Sequence, residues 1–568
     1  MNSYLAIFML LLFSSCTGPD QAVTTNYQGN WEGQLPDPKA FSYNLTIEEL
    51  ASNQYNLTLA SQSTAISKQL RSNSDDHIEI SISEDTQLSL SFSEDKAELN
   101  GFIKSGVLLY HLNLKKSGEK QYTGSWSPLL VEELNNQSIF LGVEGNDQGE
   151  LVAYPFLGDQ RFSGFWAFKH KKQKDTLLFS CFKTGLNFRA RLLDNQIQLD
   201  ILFADAVLAS STLSRSESDW QFGLADPQNH TINSPKQLND GWTIADPSES
   251  GIEQAPLDRM IKDVHDQKLL NTHSVLIAKE GKLAFEAYFD GHNANIPHDM
   301  RSAAKSIGSA VIGIAIDDQI IEGVDKKLYD YIPEKYQYTK DALKAKIDLH
   351  DLLTMSSGME VNGKASEDYY QNSDNWLKTL LEAPMKDEPG TYTDYGSANS
   401  YLLGVCLSEE LPGPLETYID EKLFQPLGIS NYILQTEDTK TDPYFGGGIH
   451  LTSRDMLKFG QLYLNQGTWN EKTVISSQWI EASMKKHTRL QDARDKNEYG
   501  YQWWHKTYTV DGQAFESVEA RGNGGQYIFV IPKLEAVVVI TSGNFRRGDL
   551  LQQPETILEE YVIPAIKG

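Results

Sequence analysis

Arg301-Ser302-Ala303-Ala304-Lys305, followed by Ile307, Ala310, Val311, Ile314 and Ala315, is the stretch on which the reading of this chain turns. Apolar residues at that spacing predict a largely buried helix starting near Ser302. A serine in a first helical turn lies beside unpaired backbone N–H groups and the positive helix end. Lys305, one turn later, projects from the same face. Its amine can therefore approach the Ser302 hydroxyl, and a desolvated lysine can fall toward neutral pKa and act as a base. The bland reading of Ser-x-x-Lys is a serine cap and a surface lysine. Here the lysine interrupts an apolar helix, which favours chemistry.

Outward from this helix, Ser274 to Phe289, interrupted at Glu280-Gly281, predicts a β-hairpin. Near the C-terminus, Tyr527 to Val530 and Ala536 to Thr541 predict an apolar hairpin around Pro532. From residue 27 to about 210 the period is 2 rather than 3.6. Tyr43, Leu45 and Ile47 alternate with polar residues, as do Ile78, Ile80 and Ile82, and Leu88, Leu90 and Phe92. These are strands with one wet face, and they predict an all-β domain, barrel- or sandwich-like. A weak echo, Gly29-Asn30-Trp31, Gly124-Ser125-Trp126 and Gly164-Phe165-Trp166, sets a tryptophan after a permissive glycine. No candidate nucleophile stands in this region, and its expected role is packing or the binding of an unknown ligand or partner. The polar stretch 211–247, with turn signals such as Asp226-Pro227 and Asp240-Gly241, reads as a linker to a second domain spanning 248–568.

Composition agrees with this division. A chain of 568 residues with 40% apolar and 22% charged residues is an ordinary globular protein of several domains. With 77 acidic against 50 basic side chains its formal charge is −27, which repels a phosphate backbone and argues against nucleic acid as a partner. The 3 cysteines cannot build a disulfide framework; Cys181 and Cys406 read as buried small residues. Cys16 closes an apolar run, Tyr4 to Phe13, that is too short to cross a bilayer and reads as the core of an export signal over residues 1–16. Phe13-Ser14-Ser15-Cys16 resembles a bacterial lipoprotein signal, which implies lipidation at Cys16, export to the periplasm or cell surface, and contact with a membrane only through that anchor. Plain cleavage nearby is the alternative.

From about Asp240 to the C-terminus the chain resembles serine hydrolases of the penicillin-binding and class C β-lactamase type, in particular the esterase-like, 6-aminohexanoate-dimer-hydrolase-like branch. Ser302-Ala303-Ala304-Lys305 matches the nucleophile motif. Asp240-Gly241-Trp242, the run from His350 to Gly358, and Tyr499-Gly500-Tyr501-Gln502-Trp503-Trp504 resemble structural signatures of that branch. The resemblance implies an α/β domain with an antiparallel sheet flanked by helices, a helical subdomain, and Leu550 to Ile566 as the closing helix. Tyr395-Gly396-Ser397 falls where the family has Tyr-x-Asn, which implies a proton relay through Tyr395, with Ser397 replacing the asparagine. Asn523-Gly524-Gly525 aligns with Lys-Thr-Gly, or with a shift of one residue to Gly522. The cation of that motif is absent, which argues against a substrate carboxylate unless Arg521 compensates.

The implied chemistry is acyl transfer to water. Ser302 attacks an ester or amide carbonyl while Lys305 and Tyr395 take up its proton, with the base unassigned between them. Backbone N–H groups of Ser302 and Gln526 hold the oxyanion. Ser397, Asn523, Gly524, Gly525 and Trp503 line the substrate, although one of Trp503 and Trp504 belongs to the core. His350 reads as structural, and Gly446-Gly447-Gly448 as a tight approach near the site. No metal and no cofactor is called for. A carboxylic ester is the first expectation; an amide, a D-amino-acid peptide or a β-lactam is the alternative. A reading of another class is an exported binding protein with an idle lactamase-like half.

Overall fold

In a computed structural model of the protein, residues 27–567 are described except 63, 73, 75, 146–150, 160, 162–168, 174–175, 182–183, 218–230, 234, 438–441, 492–496 and 546. The export signal, Cys16 and the third tryptophan echo, Gly164-Phe165-Trp166, lie outside the described residues. The strand Ala536–Ser542 is buried on both faces. Val537 and Val539 enter one core while Val538 and Ile540 enter another, so an unbroken apolar run is required where a sheet is covered on both sides. It pairs with Thr272–Lys279 and Gln526–Ile531 at the centre of a nine-stranded antiparallel sheet. The expected hairpin is there: Thr272–Lys279 and Lys282–Tyr288 are joined through Glu280 and Gly281, both in the left-handed region at φ 51° and 74°. That is the conformation a tight hairpin turn demands.

One face of this sheet carries the helix Gln254–His265 and the C-terminal helical segment, which meet through Leu257, Met260, Ile557 and Val562. The segment starts at Gln553 rather than Leu550 and passes through a π turn, Leu558–Val562. Pro554 lacks the N–H that an interior helical position must donate, so it sits in the first turn. The other face carries the helix Ala304–Asp317, which includes Lys305, and the helix Ser453–Leu464. Beyond them lies a helical subdomain that includes Leu349–Leu353, Glu367–Gln371, Trp376–Leu381 and Ser397–Glu410.

The N-terminal half is all-β. Two antiparallel sheets close on one core in which Trp126 packs 5.6 Å from Tyr43 and 5.1 Å from Phe203. Cys181 is buried in this core and Cys406 in that of the other half. The halves are continuous. The strand Leu108–Gly118 pairs through residues 108–110 with Ile433–Gln435, which pairs with Ile449–Leu451, which pairs with His298–Asp299. Apolar side chains cross the seam in both directions: Ile296 and Ile433 enter the N-terminal core, while Phe102 and Leu109 enter the other. The segment read as a linker differs from that reading. Residues 211–215 complete the strand Ala206–Arg215, and Thr231–Asn233 forms an edge strand on Lys282–Tyr288. Trp242 is buried, and Asp240 pairs at 2.8 Å with Arg454, which also holds Glu286 at 2.6 Å. At Asp240 a polar residue marks an ion pair of a docked segment, which composition alone cannot separate from solvation.

Candidate active site

Ser302 lies in a short 3-10 turn, Arg301–Ala303, that runs into the helix Ala304–Asp317. Arg301, just before it, has φ 49°, a left-handed conformation that costs a non-glycine residue about 1–2 kcal/mol. Asp299 accepts the Arg301 backbone N–H at 3.0 Å, and Met300 donates to the Ile449 carbonyl at 2.9 Å. The turn is thus clamped from the strand that precedes it. Lys305, on the first turn of the helix, is 1% exposed. Its Nζ is 2.9 Å from Ser302 Oγ and 3.0 Å from Ser397 Oγ, and it also donates to the Gly446 carbonyl. Three acceptors around one buried amine fix its direction. It also stands 5.3 Å from the centre of the Tyr395 ring.

Ser397 is the first residue of the helix Ser397–Glu410. Its hydroxyl donates to Glu367 at 3.0 Å, and Glu367 accepts the Tyr444 hydroxyl at 2.8 Å. The site therefore contains a carboxylate that the sequence reading did not single out. Its only sequence signal was a charged residue beginning a short helix, which is common. Tyr395 is half-buried between Tyr499 and Trp504, with ring centres 6.4 Å and 5.3 Å away.

In the third motif, Gly522 ends the strand Gln513–Gly522, residues 523–525 turn, and Gln526 begins the strand opposite. A Cβ at Gly522 would fall 2.1 Å from the Met300 carbonyl oxygen, so only glycine lets this strand end abut the turn that holds Ser302. Gln526 is fully buried and its strand touches that turn, whereas Asn523 is exposed. Arg521 does not stand in for the missing cation. Glu519 holds it at 2.6 Å and Glu555 at 3.1 Å, and its guanidinium lies over Trp504, 5.1 Å from the ring centre. Burial pushes the Glu519 carboxyl up, and the neighbouring Arg521 opposes that shift.

Trp503, expected among the lining residues, is instead fully buried, 4.5 Å from Tyr463 and 5.9 Å from Phe459 between ring centres. Trp504 is the one that reaches the site. The two side chains point to opposite faces, and sequence alone does not say which face is wet. Gln502 ties the site together: it accepts Ser400 Oγ on its side chain and Ser306 Oγ on its carbonyl, both at 2.7 Å, and donates to the Leu352 carbonyl at 3.1 Å. His350 bonds the Tyr501 hydroxyl at 2.9 Å and is structural. At the glycine triplet, Gly446 supplies the carbonyl that Lys305 uses, while an added Cβ on Gly447 would lie 3.6 Å from the Arg301 backbone.

The profile of the beta-lactamase family matches residues 257–560, more than half of the chain. The chain belongs to the beta-lactamase family. Its C-terminal half is a beta-lactamase-fold domain, and the all-β half precedes the matched region. An uncharacterized protein of Mycobacterium tuberculosis is 28% identical over 195 residues, which is 28% of this chain and 48% of that protein. The chain thus spans about half the length of the first curated relatives it matches. The 6-aminohexanoate-dimer hydrolase of Paenarthrobacter ureafaciens is 23% identical over 320 residues, covering 52% of this chain and 79% of its own. Among solved structures, a penicillin binding protein from Bacillus halodurans aligns with a TM-score of 0.41 and 17% identity, over 52% of this chain and 96% of that one.

Proposed function

We propose that this beta-lactamase-family protein is a serine hydrolase that works through an acyl-enzyme and acts on a carboxylic ester. The observation that carries the reading is the buried Lys305 amine 2.9 Å from the Ser302 hydroxyl. An amine held at that distance accepts the hydroxyl proton as Ser302 Oγ attacks a carbonyl carbon. Tyr395, beside the same amine, relays a proton to the leaving group. The oxyanion is assigned to the backbone N–H groups of Ser302 and Gln526, and water then repeats the sequence to release the acid. Ser397, Asn523, Gly524 and Gly525 border the acyl site in this reading. The commitment of Arg521 to Glu519 and Glu555 keeps its own guanidinium from a substrate carboxylate, which favours a neutral acyl group.

An amide comes second, because one relative is named 6-aminohexanoate-dimer hydrolase and joining two amino acids forms an amide. Export, with Cys16 as a lipidated N-terminus, completes the proposal; a palmitate label absent from Cys16→Ala tests it. The test of the chemistry is intact-protein mass spectrometry after exposure to a fluorophosphonate, beside turnover of short-chain nitrophenyl esters. One adduct per chain, with adduct and turnover both absent in Ser302→Ala, is expected. A folded protein with neither adduct nor turnover overturns the reading and leaves a binding protein with a lactamase fold.

A further inference from the structure

Three histidines outside the hydrolase site converge where the two halves of the chain meet. His273 comes from the strand Thr272–Lys279, His292 from the loop after Lys282–Tyr288, and His298 from the short strand His298–Asp299. All three are buried, and one ligand atom from each lies within 4.8 Å of the others. Among the described residues this is the one such group. We propose that His273, His292 and His298 form a binding site for a single divalent transition-metal ion of the zinc class.

The geometry is part-way to a tetrahedral site. Zn–N bonds of about 2.0–2.1 Å set neighbouring ligand nitrogens about 3.3 Å apart. His273 Nδ1 and His298 Nε2 are already 3.2 Å apart. The His292 ring, stacked 4.1 Å and 4.5 Å from the other two, must turn out of the stack and close by about 1.5 Å to complete the set, because a ligated ion lies in the plane of each imidazole. Gly543 lets the backbone lie close against the His273 ring, where a Cβ would be 2.7 Å away.

The chemistry fits as well. His292 Nδ1 is buried with no hydrogen-bond partner, a costly state that metal ligation relieves. Asp299, next to His298, is the nearby carboxylate, and it is shared with Arg301 at 3.1 Å. Arg161, across the seam, repels a dication, but Asp159 pairs with it at 2.7 Å. The neutral three-nitrogen set suits zinc-class ions rather than magnesium or calcium, and leaves a fourth position for water.

The test uses the full, untagged chain, stripped with chelator and titrated with Zn²⁺ alone under native mass spectrometry and thermal melting. One ion per chain and a raised melting temperature are expected. In folded His292→Gln and His298→Gln, affinity should fall at least about 100-fold, because even outer-shell changes cost 10–100-fold. His487→Gln, in the other histidine pair, should keep it. X-ray absorption of the zinc-loaded wild type reads the ligands without any variant, and three imidazole nitrogens are expected. No binding, fewer than two imidazoles, or binding lost only in His487→Gln overturns the proposal. None of these readouts depends on hydrolase activity.

Discussion

Glu367 accepts a hydrogen bond from Ser397 at 3.0 Å, which puts a carboxylate one hydroxyl away from the amine of Lys305. The chain Lys305–Ser397–Glu367–Tyr444 runs from the helix Ala304–Asp317 into the helical subdomain, so the direction of the amine depends on residues well outside the Ser-x-x-Lys segment.

Lys305→Ala should lower ester turnover at least about 10³-fold, as loss of a group acting in concert with its nucleophile does. Lys305→Arg should do the same while keeping the positive charge, because a guanidinium does not take up a proton. Steady-state kinetics on the nitrophenyl esters, with circular dichroism as the folding control, distinguishes a base from a mere cation. Activity retained in the arginine variant would remove the base role.

Glu367→Gln removes a charge but leaves an amide that can still accept from Ser397. A positioning role predicts a fall in kcat of about tenfold, since hydrogen bonds to charged groups are worth about 1.5–3 kcal/mol. KM should change little and fluorophosphonate labelling should persist at a reduced rate. A raised KM with unchanged kcat would mean that Glu367 touches substrate instead.

The adjacent tryptophans should separate cleanly. Trp503→Ala opens a cavity between Tyr463 and Phe459 and should cost about 3–5 kcal/mol in urea denaturation. Trp504→Ala removes the ring between Tyr395 and Arg521 and should alter the ester chain-length profile, with a much smaller loss of stability.

Glu416, on the helix Leu415–Ile419, is pushed up to about 7 by burial, and its Oε2 has no hydrogen-bond partner. The native state therefore holds a proton that the unfolded chain releases near 4.5. That contribution is complete below pH 4.5 and is lost as pH rises through 7. Glu416→Gln should leave stability at pH 4 nearly unchanged and raise it at pH 8 by about 2–3 kcal/mol, readable as a melting-temperature difference that appears only on the alkaline side.

Ile433 belongs to the strand that joins the halves, and its side chain is buried in the N-terminal core. Ile433→Ala should cost about 2–5 kcal/mol. The loss should appear in the unfolding of both halves, followed by hydrogen exchange around Trp126 and around Trp503. A loss confined to one half would show that the seam transmits little.

Much of this architecture follows from local pattern. The alternation in Tyr43, Leu45 and Ile47, the unbroken run Ala536 to Thr541 and the apolar helix around Lys305 are set by periods of 2 and 3.6, which any neighbourhood of ten residues displays. The approach of Lys305 to Ser302 is equally local, one turn of one helix. Other features depend on which distant residues meet. The neutralisation of Arg521 by Glu519 and Glu555, the choice between Trp503 and Trp504, the acceptance of Ser397 by Glu367 and the meeting of His273, His292 and His298 are of this kind. Charge compensation and burial are properties of a neighbourhood in space, and the pairing of residues 108–110 with Ile433–Gln435 shows how far along the chain such a neighbour can lie.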